Sequence, residues 1–401
     1  MVIILFLVMS SSILGFTIYN GIISSANDIV KEDIVEESDE LNIESVQEAK
    51  DIIEKPRKSN VKLLAAGDIM FHSPQFKAAY DTENGGYDFT PTFRHIKKYV
   101  EESDIALANF ETVTAGKEVG FHGFPRFNTP KESLLAIKDT GFDILSTANN
   151  HSLDQGKKGL INTIDAIEEY GLKNIGTYKE PSSGILIEEI EGIKMAFLSY
   201  TYGMNGLDAT LTTEELGYMI NKIDEDKIKE DIEKSKELGA DITIAFIHWG
   251  NEYQREPSTY QIDLGRKMVD WGANIILGSH PHVIQRSEII NKDGKENFII
   301  YSMGNFLSNQ RKESMDNKYT EDGVMVQLEI EKDFVKQETI IKNIYYIPTW
   351  VHRYREDNRL TYEILPIKDI LKGTIETNQV NKIKSRIEES YKDTTDKMVE
   401  Y

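Results

Sequence analysis

Cysteine is absent from the 401 residues. Its absence excludes thiol catalysis, thiolate-held zinc, disulfides and a lipidated cysteine anchor in one stroke. Positive charge is scarce: 46 Lys and Arg face 67 Asp and Glu, for a formal net charge of −21 at pH 7. Neutralising a phosphate backbone needs a basic face, so nucleic acid is not an expected partner. Charge alone would not draw the chain to an anionic membrane surface either. No internal repeat is visible, and charge is missing altogether from the first 27 residues.

That uncharged start carries an apolar run from Val2 to Met9 and another from Ile13 to Ile23. About 22 residues at ~1.5 Å each suit a membrane span better than a short signal-peptide core. The expectation is a signal anchor over 1–26, single-pass in the cell membrane, with the globular part outside the cell. Ser24-Ser25-Ala26 offers a signal peptidase a cleavage site instead, and no Lys or Arg precedes the run to orient it. Residues 27–60 are rich in Glu, Asp, Lys and Ser, bury little, and read as an acidic stalk. An exported, disulfide-free protein of a Gram-positive type of cell would have this composition.

From Val61 onward apolar runs alternate with amphipathic stretches at 92–103, 131–140, 159–170, 224–238 and 260–271. Strand and helix alternation at this spacing predicts an α/β layered fold. Two runs, 184–189 and 195–200, flank Glu191-Gly192 and read as a hairpin, so the sheets should be mixed. Strand-like runs return at 324–330, 338–348 and 360–366, and 379–400 reads as a terminal helix. The division expected is a core domain over 61–312, with 313–401 completing or flanking it.

The chemistry gathers where apolar runs end. Gly67-Asp68, Asn109-Phe110-Glu111, Asn149-Asn150-His151, His248-Trp249-Gly250, Gly278-Ser279-His280-Pro281-His282 and Gly304-Asn305-Phe306 are short polar segments, five of which directly follow apolar runs. Buried strands that each deliver an oxygen or imidazole to one sheet edge build metal sites. His280 and His282, two apart beyond a strand, project to the same side if the segment stays extended. Imidazoles of His248, His280 and His282, carboxylates of Asp68 and Glu111 and the amide oxygen of Asn150 form a donor set for manganese, zinc or iron, one ion or two.

These segments, with Pro125-Arg126-Phe127 and Tyr301-Ser302-Met303-Gly304, make the chain from about 61 to 310 resemble the CapA/PgsA family of poly-γ-glutamate capsule biosynthesis proteins, a branch of the calcineurin-like metallophosphatases. The resemblance implies a four-layer α/β/β/α sandwich with mixed sheets. It also implies that Asp68 and His282 hold one metal, that Asn150, His248 and His280 hold a second, and that Glu111 bridges them. His151 would then be the general acid. The chain departs from the metallophosphatase pattern in three places. Met70 stands where a His is usual, with His72 a substitute only if the loop turns. Glu111 replaces an Asp, and Ser152 stands where an acid usually follows the Asn-His pair.

Arg126 is the first candidate for gripping an anionic substrate, since a guanidinium pairs a carboxylate or phosphate through two parallel hydrogen bonds. Arg255, Arg286 and Lys157 are weaker ones. Trp249 and Tyr253 are candidates to wall the pocket, and Glu252 to orient His248 or another ligand. The resemblance implies a membrane-anchored component of poly-γ-glutamate or capsule synthesis or export, with a related anionic polymer and membrane-bound synthase subunits as partners. The residues themselves leave open a metal-dependent hydrolase of a phosphoester or of a γ-glutamyl or peptidoglycan amide, and a polymer-binding scaffold without chemistry.

Overall fold

In the computed structural model, residues 57–377 and 379–401 are described. The anchor expected over 1–26 and nearly all of the stalk lie outside the described residues. Among the described residues no helix is long and apolar enough to cross a membrane.

The fold is mixed α/β, built on two sheets. The first runs in the order Arg359–Pro366, Glu338–Glu356, Asp322–Asp333, Lys58–Ile69, Ile105–Phe110, Ile144–Ser146 and Lys173–Ile175, with Asn305–Leu307 also pairing with Lys58–Ile69. The second runs Ile284–Lys292, Lys295–Met303, Ile275–Ser279, Ile242–His248, Ile193–Thr201 and Leu186–Ile190. The first is antiparallel from Arg359–Pro366 to Lys58–Ile69 and parallel from there to Lys173–Ile175, whereas the second has a parallel centre and antiparallel margins. The central strands are apolar on both faces because both faces are covered. Val61, Leu63, Ala65, Leu107, Phe197, Ile244 and Phe246 share one core with residues of both sheets. Leu64, Ala66, Ala106 and Ala108 pack instead with Leu134, Ile137 and Ile167 of the helices Glu132–Thr140 and Gly156–Glu169. On the other side, Leu198, Ala245 and Ile247 pack with Ile228, Leu264 and Met268 of the helices Glu225–Glu237 and Thr259–Trp271.

The predicted hairpin forms between Leu186–Ile190 and Ile193–Thr201. Glu191 and Gly192 take φ of 51° and 74°, the left-handed pair that a two-residue hairpin turn requires. Two expectations change. The first strand begins at Lys58, opposite Asp333, so residues 58–60, placed in the stalk by composition, belong to the sheet. The stretch 92–103 is not one helix but two short ones, Thr90–Phe93 and Lys97–Glu101. The break lets Phe93 and Ile96 both enter the core and brings Arg94 and His95 onto Glu363.

Candidate metal centre

Side-chain parity explains how the ligands meet. Ile242, Ile244 and Phe246 enter the core between the sheets, so His248, two residues on, faces the same way. Ile105 and Leu107 set the same parity for Asn109 and then for Glu111, just past the strand. On the first strand this parity would send Asp68 toward the helices, with Leu64 and Ala66. A bulge re-aims it: Ala66 pairs with Ala108 and Asp68 with Asn109, leaving Gly67 as an extra residue. A Cβ on Gly67 would lie 2.1 Å from the Gly304 carbonyl oxygen, so only glycine permits this approach.

Asp68, Asn109, Glu111 and His248 are 0% exposed, and His280 and His282 only 3%. Asn109 Nδ2 donates to Asp68 Oδ1 at 2.8 Å and lies 3.4 Å from Glu111 Oε2. His248 Nε2 is 2.9 Å from Asn150 Oδ1 and 3.6 Å from Glu111 Oε1, while its Nδ1 is 2.9 Å from Ser279 Oγ. His282 Nδ1 is 3.2 Å from Asn305 Oδ1 and 3.4 Å from Asp68 Oδ2, and its Nε2 is 3.8 Å from Glu111 Oε1. Potential ligand atoms of Glu111, His280 and His282 lie within 4.8 Å of one another, as do those of Asp68, Glu111 and His248. Glu111 is common to both groups, in the position of a bridge. The proximities of the expected grouping, which put His282 with Asp68 and His280 with His248, are also present: His282 Nδ1 stands 3.4 Å from Asp68 Oδ2 and the His248 and His280 ring centroids are 4.7 Å apart.

The donor set fits a divalent cation on the evidence of its orphans. Glu111 Oε1 and His280 Nδ1 are buried without a hydrogen-bond partner, a situation that costs ~1–3 kcal/mol per neutral group and more for a charged one. Burial, followed by the Asp68 charge, pushes the Glu111 carboxyl well above its ordinary range. Burial also drives His248 well below its ordinary value and His280 down to about 3. Both imidazoles are therefore neutral near pH 7, the form that ligates a cation.

The segment from 278 to 282 is not extended as expected. His280 has a φ of 96° and His282 of 57°, so left-handed turns about Pro281 bring the rings into the site. Positive φ at non-glycine residues costs ~1–3 kcal/mol each and collects at functional sites. The His280 N–H, at 3.3 Å, donates to Asp68 Oδ2.

His151 lies at the rim, its Nδ1 2.7 Å from Asp154 Oδ2, which also accepts the Phe127 N–H at 2.7 Å. Ser152 closes the turn through Thr147 O and Asn149 O, both at 2.6 Å. Met70 is buried at the cavity wall. His72 caps the helix Ser73–Ala79 and its Nδ1 accepts the Asn309 N–H at 3.3 Å. It belongs to neither ligand group.

A cavity of about 440 Å³ adjoins the centre, lined by His151, Asn150, His282, Tyr253, Glu252 and Arg126, among others. Of the four cations considered, Arg126 alone lines it and alone has no ion pair or side-chain hydrogen bond among the described residues. Lys157 pairs with Glu215, Arg286 with Glu288, and Arg255 donates to Asp393 O and lies over the Tyr319 ring. Trp249 is core rather than wall, its Nε1 donating to Tyr301 O at 2.9 Å. The ring nitrogens of His248 meet Ser279, Asn109, Asn150 and Glu111, so the orienting part expected of Glu252 falls to Ser279. Asn109 and Ser279 fall in the polar segments read from sequence but were given no part there, and Tyr202, whose ring lies 4.6 Å from that of His280, was not singled out at all. The parity of Ile105 and Leu107 would have found Asn109; nothing local marks Tyr202.

The family model described as bacterial capsule synthesis protein PGA_cap matches residues 62–310. The chain belongs to this family. Among its relatives, the capsule biosynthesis protein CapA of Bacillus anthracis is 32% identical over 279 residues, 66% of this chain and 64% of the relative. The chain thus spans under two thirds of that protein's length. The PGA biosynthesis protein CapA of Bacillus subtilis is 29% identical over 332 residues, 74% of this chain and 81% of the relative. Among solved structures, the calcineurin-like phosphoesterase YfkN of Bacillus subtilis matches 84% of this chain and 98% of its own, at 15% identity and a TM-score of 0.42.

Proposed function

We propose that the chain acts in the synthesis or export of poly-γ-glutamate or a related anionic capsule polymer, outside the cell and anchored by its apolar N-terminus, through a divalent-metal centre in a four-layer α/β/β/α metallophosphatase-like sandwich. The observation that carries the metal centre is the buried, partnerless Glu111 Oε1 facing His248 and His282. Asp68, Glu111, Asn150, His248, His280 and His282 would hold manganese, zinc or iron, one ion or two. When bound, such an ion supplies Lewis acidity toward a carbonyl or phosphoryl oxygen and toward water. The chain's own residues do the rest. Asn109 and Ser279 fix the Asp68 carboxylate and the His248 ring, Arg126 grips polymer carboxylates, and Tyr253 closes one side of the cavity. The family assignment supports the polymer, and the relatives named for capsule and PGA biosynthesis support the pathway. Full-length protein purified without chelator should carry about one to two equivalents of metal by elemental analysis. A folded protein that stays metal-free after reloading would overturn the centre and leave a polymer-binding scaffold.

A second reading, a metal-dependent hydrolase of a γ-glutamyl or peptidoglycan amide or a phosphoester, is favoured by the His151–Asp154 pair. Asp154 holds the His151 ring so that its other nitrogen can pass a proton to a leaving group. His151→Gln should lower any such hydrolysis about 100-fold or more, as loss of a general acid does, with metal content unchanged. Asp154→Asn should lower it less and shift its pH profile. Equal rates in wild type and His151→Gln would remove His151 from the chemistry.

A further inference from the structure

The lining of the cavity beside the metal centre holds one cation and one carboxylate without an ion-pair partner, its other carboxylate, Asp154, standing 2.7 Å from His151 Nδ1. Arg126 is exposed on one segment of its lining and Glu252 is exposed on another. Among the described residues neither has an ion-pair partner. The neighbour of the Glu252 carboxylate is the hydroxyl of Tyr253. A cavity whose lining holds a cation and a carboxylate, neither of them in an ion pair, is matched by a ligand with both an anion and a cation.

We infer that this cavity recognises the amino-terminal residue of a γ-linked acidic polypeptide, with Arg126 taking its α-carboxylate and Glu252 its α-ammonium. The inference rests on the polymer reading of the function and deepens it. In a γ-linked chain every residue keeps a free α-carboxylate, but only the amino-terminal residue also keeps a free α-ammonium. A guanidinium alone would read the polymer anywhere along its length. The added carboxylate of Glu252 selects the end, because an internal amide nitrogen brings no cation and leaves Glu252 facing anions only. The size of the cavity, about 440 Å³, falls in the range of small-ligand sites, as an end-binding pocket requires. Glu252 is thereby a specificity residue for the polymer end, apart from the ligand groups that contain Glu111.

The test is calorimetric binding of γ-glutamyl-glutamate, and of its N-acetylated form, to full-length protein of measured metal content. Wild type should bind the free dipeptide at least tenfold more tightly than the acetylated one. Glu252→Gln should bring that ratio close to one, and Arg126→Gln should weaken both ligands. Equal binding of both dipeptides to wild type would overturn the end-reading role while leaving the polymer reading intact. No binding of either dipeptide or of longer γ-linked polymer would overturn both. Loss of metal from Glu252→Gln would make it a support of the centre and overturn the assignment.

Discussion

Full-length protein carrying His280→Ala and His282→Ala is expected to purify with less than about a tenth of the wild-type metal, because one ligand group loses two of its three donors. Single replacement of a ligand-supporting group typically costs 10–100-fold in affinity, and two direct ligands cost more. The more telling variant is Glu111→Gln. Glu111 belongs to both groups, is fully buried, and has one oxygen with no partner. With metal bound its charge is neutralised; without metal, burial and the Asp68 charge push its carboxyl well above the ordinary range, which near neutral pH costs the folded state stability. Glutamine keeps the shape and, having no ionisable group, carries no such cost. Metal-free Glu111→Gln should therefore unfold at a higher urea concentration than metal-free wild type, and should gain little when metal is added, whereas wild type gains strongly. A Glu111→Gln protein less stable than metal-free wild type, or one with wild-type metal content, would contradict the bridging position.

The second large effect lies outside the candidate ligand groups and the cavity beside them. Glu363 is fully buried on the strand Arg359–Pro366 and accepts from Tyr354 Oη at 2.9 Å and Thr377 Oγ1 at 2.6 Å, with Arg94 paired to it and His95 3.7 Å away. Burial pushes its carboxyl up, but His95, Thr377 and Tyr354 and the Arg94 charge outweigh that and hold it down to about 2. Glu363→Ala leaves those donors facing a gap. Breaking a buried pair costs ~3–5 kcal/mol, and the half-exposed Arg94, free to turn to water, places this case near about 3 kcal/mol. The sign of the pH dependence follows from the depressed pKa. The Glu363 contribution is complete above the ordinary glutamate range and is lost as pH falls toward 2. Urea titrations should show the gap between wild type and variant widest near neutrality and narrowing below about pH 4.5. A gap that grows on acidification would refute this account.

Much of the site was legible in the chain because a parallel strand covered on both faces is a continuous apolar run, and its end is marked by the first polar residue. Asp68, Asn109, His248 and Ser279 could be placed at strand ends in this way, and the helices over 132–140, 156–169, 225–237 and 259–271 fell close to their amphipathic stretches. The Glu191-Gly192 turn was equally local, since two left-handed residues between strands suffice to define it.

What the sequence by itself determined, then, was the inventory of strands, helices and donor residues, because hydrophobic period and turn chemistry act over a few neighbours. Tertiary structure alone decided how those donors face one another. The bulge at Gly67 that turns Asp68 inward depends on Ile105–Phe110 lying alongside and on the Gly304 carbonyl pressing against the glycine. The left-handed turns at His280 and His282, the sharing of Glu111 between two groups and the meeting of Arg126 and Glu252 in the lining of one cavity depend on contacts between residues far apart in the chain. Such contacts leave no period in the sequence, since strain and unpaired charge are tolerated only where the surrounding packing holds them.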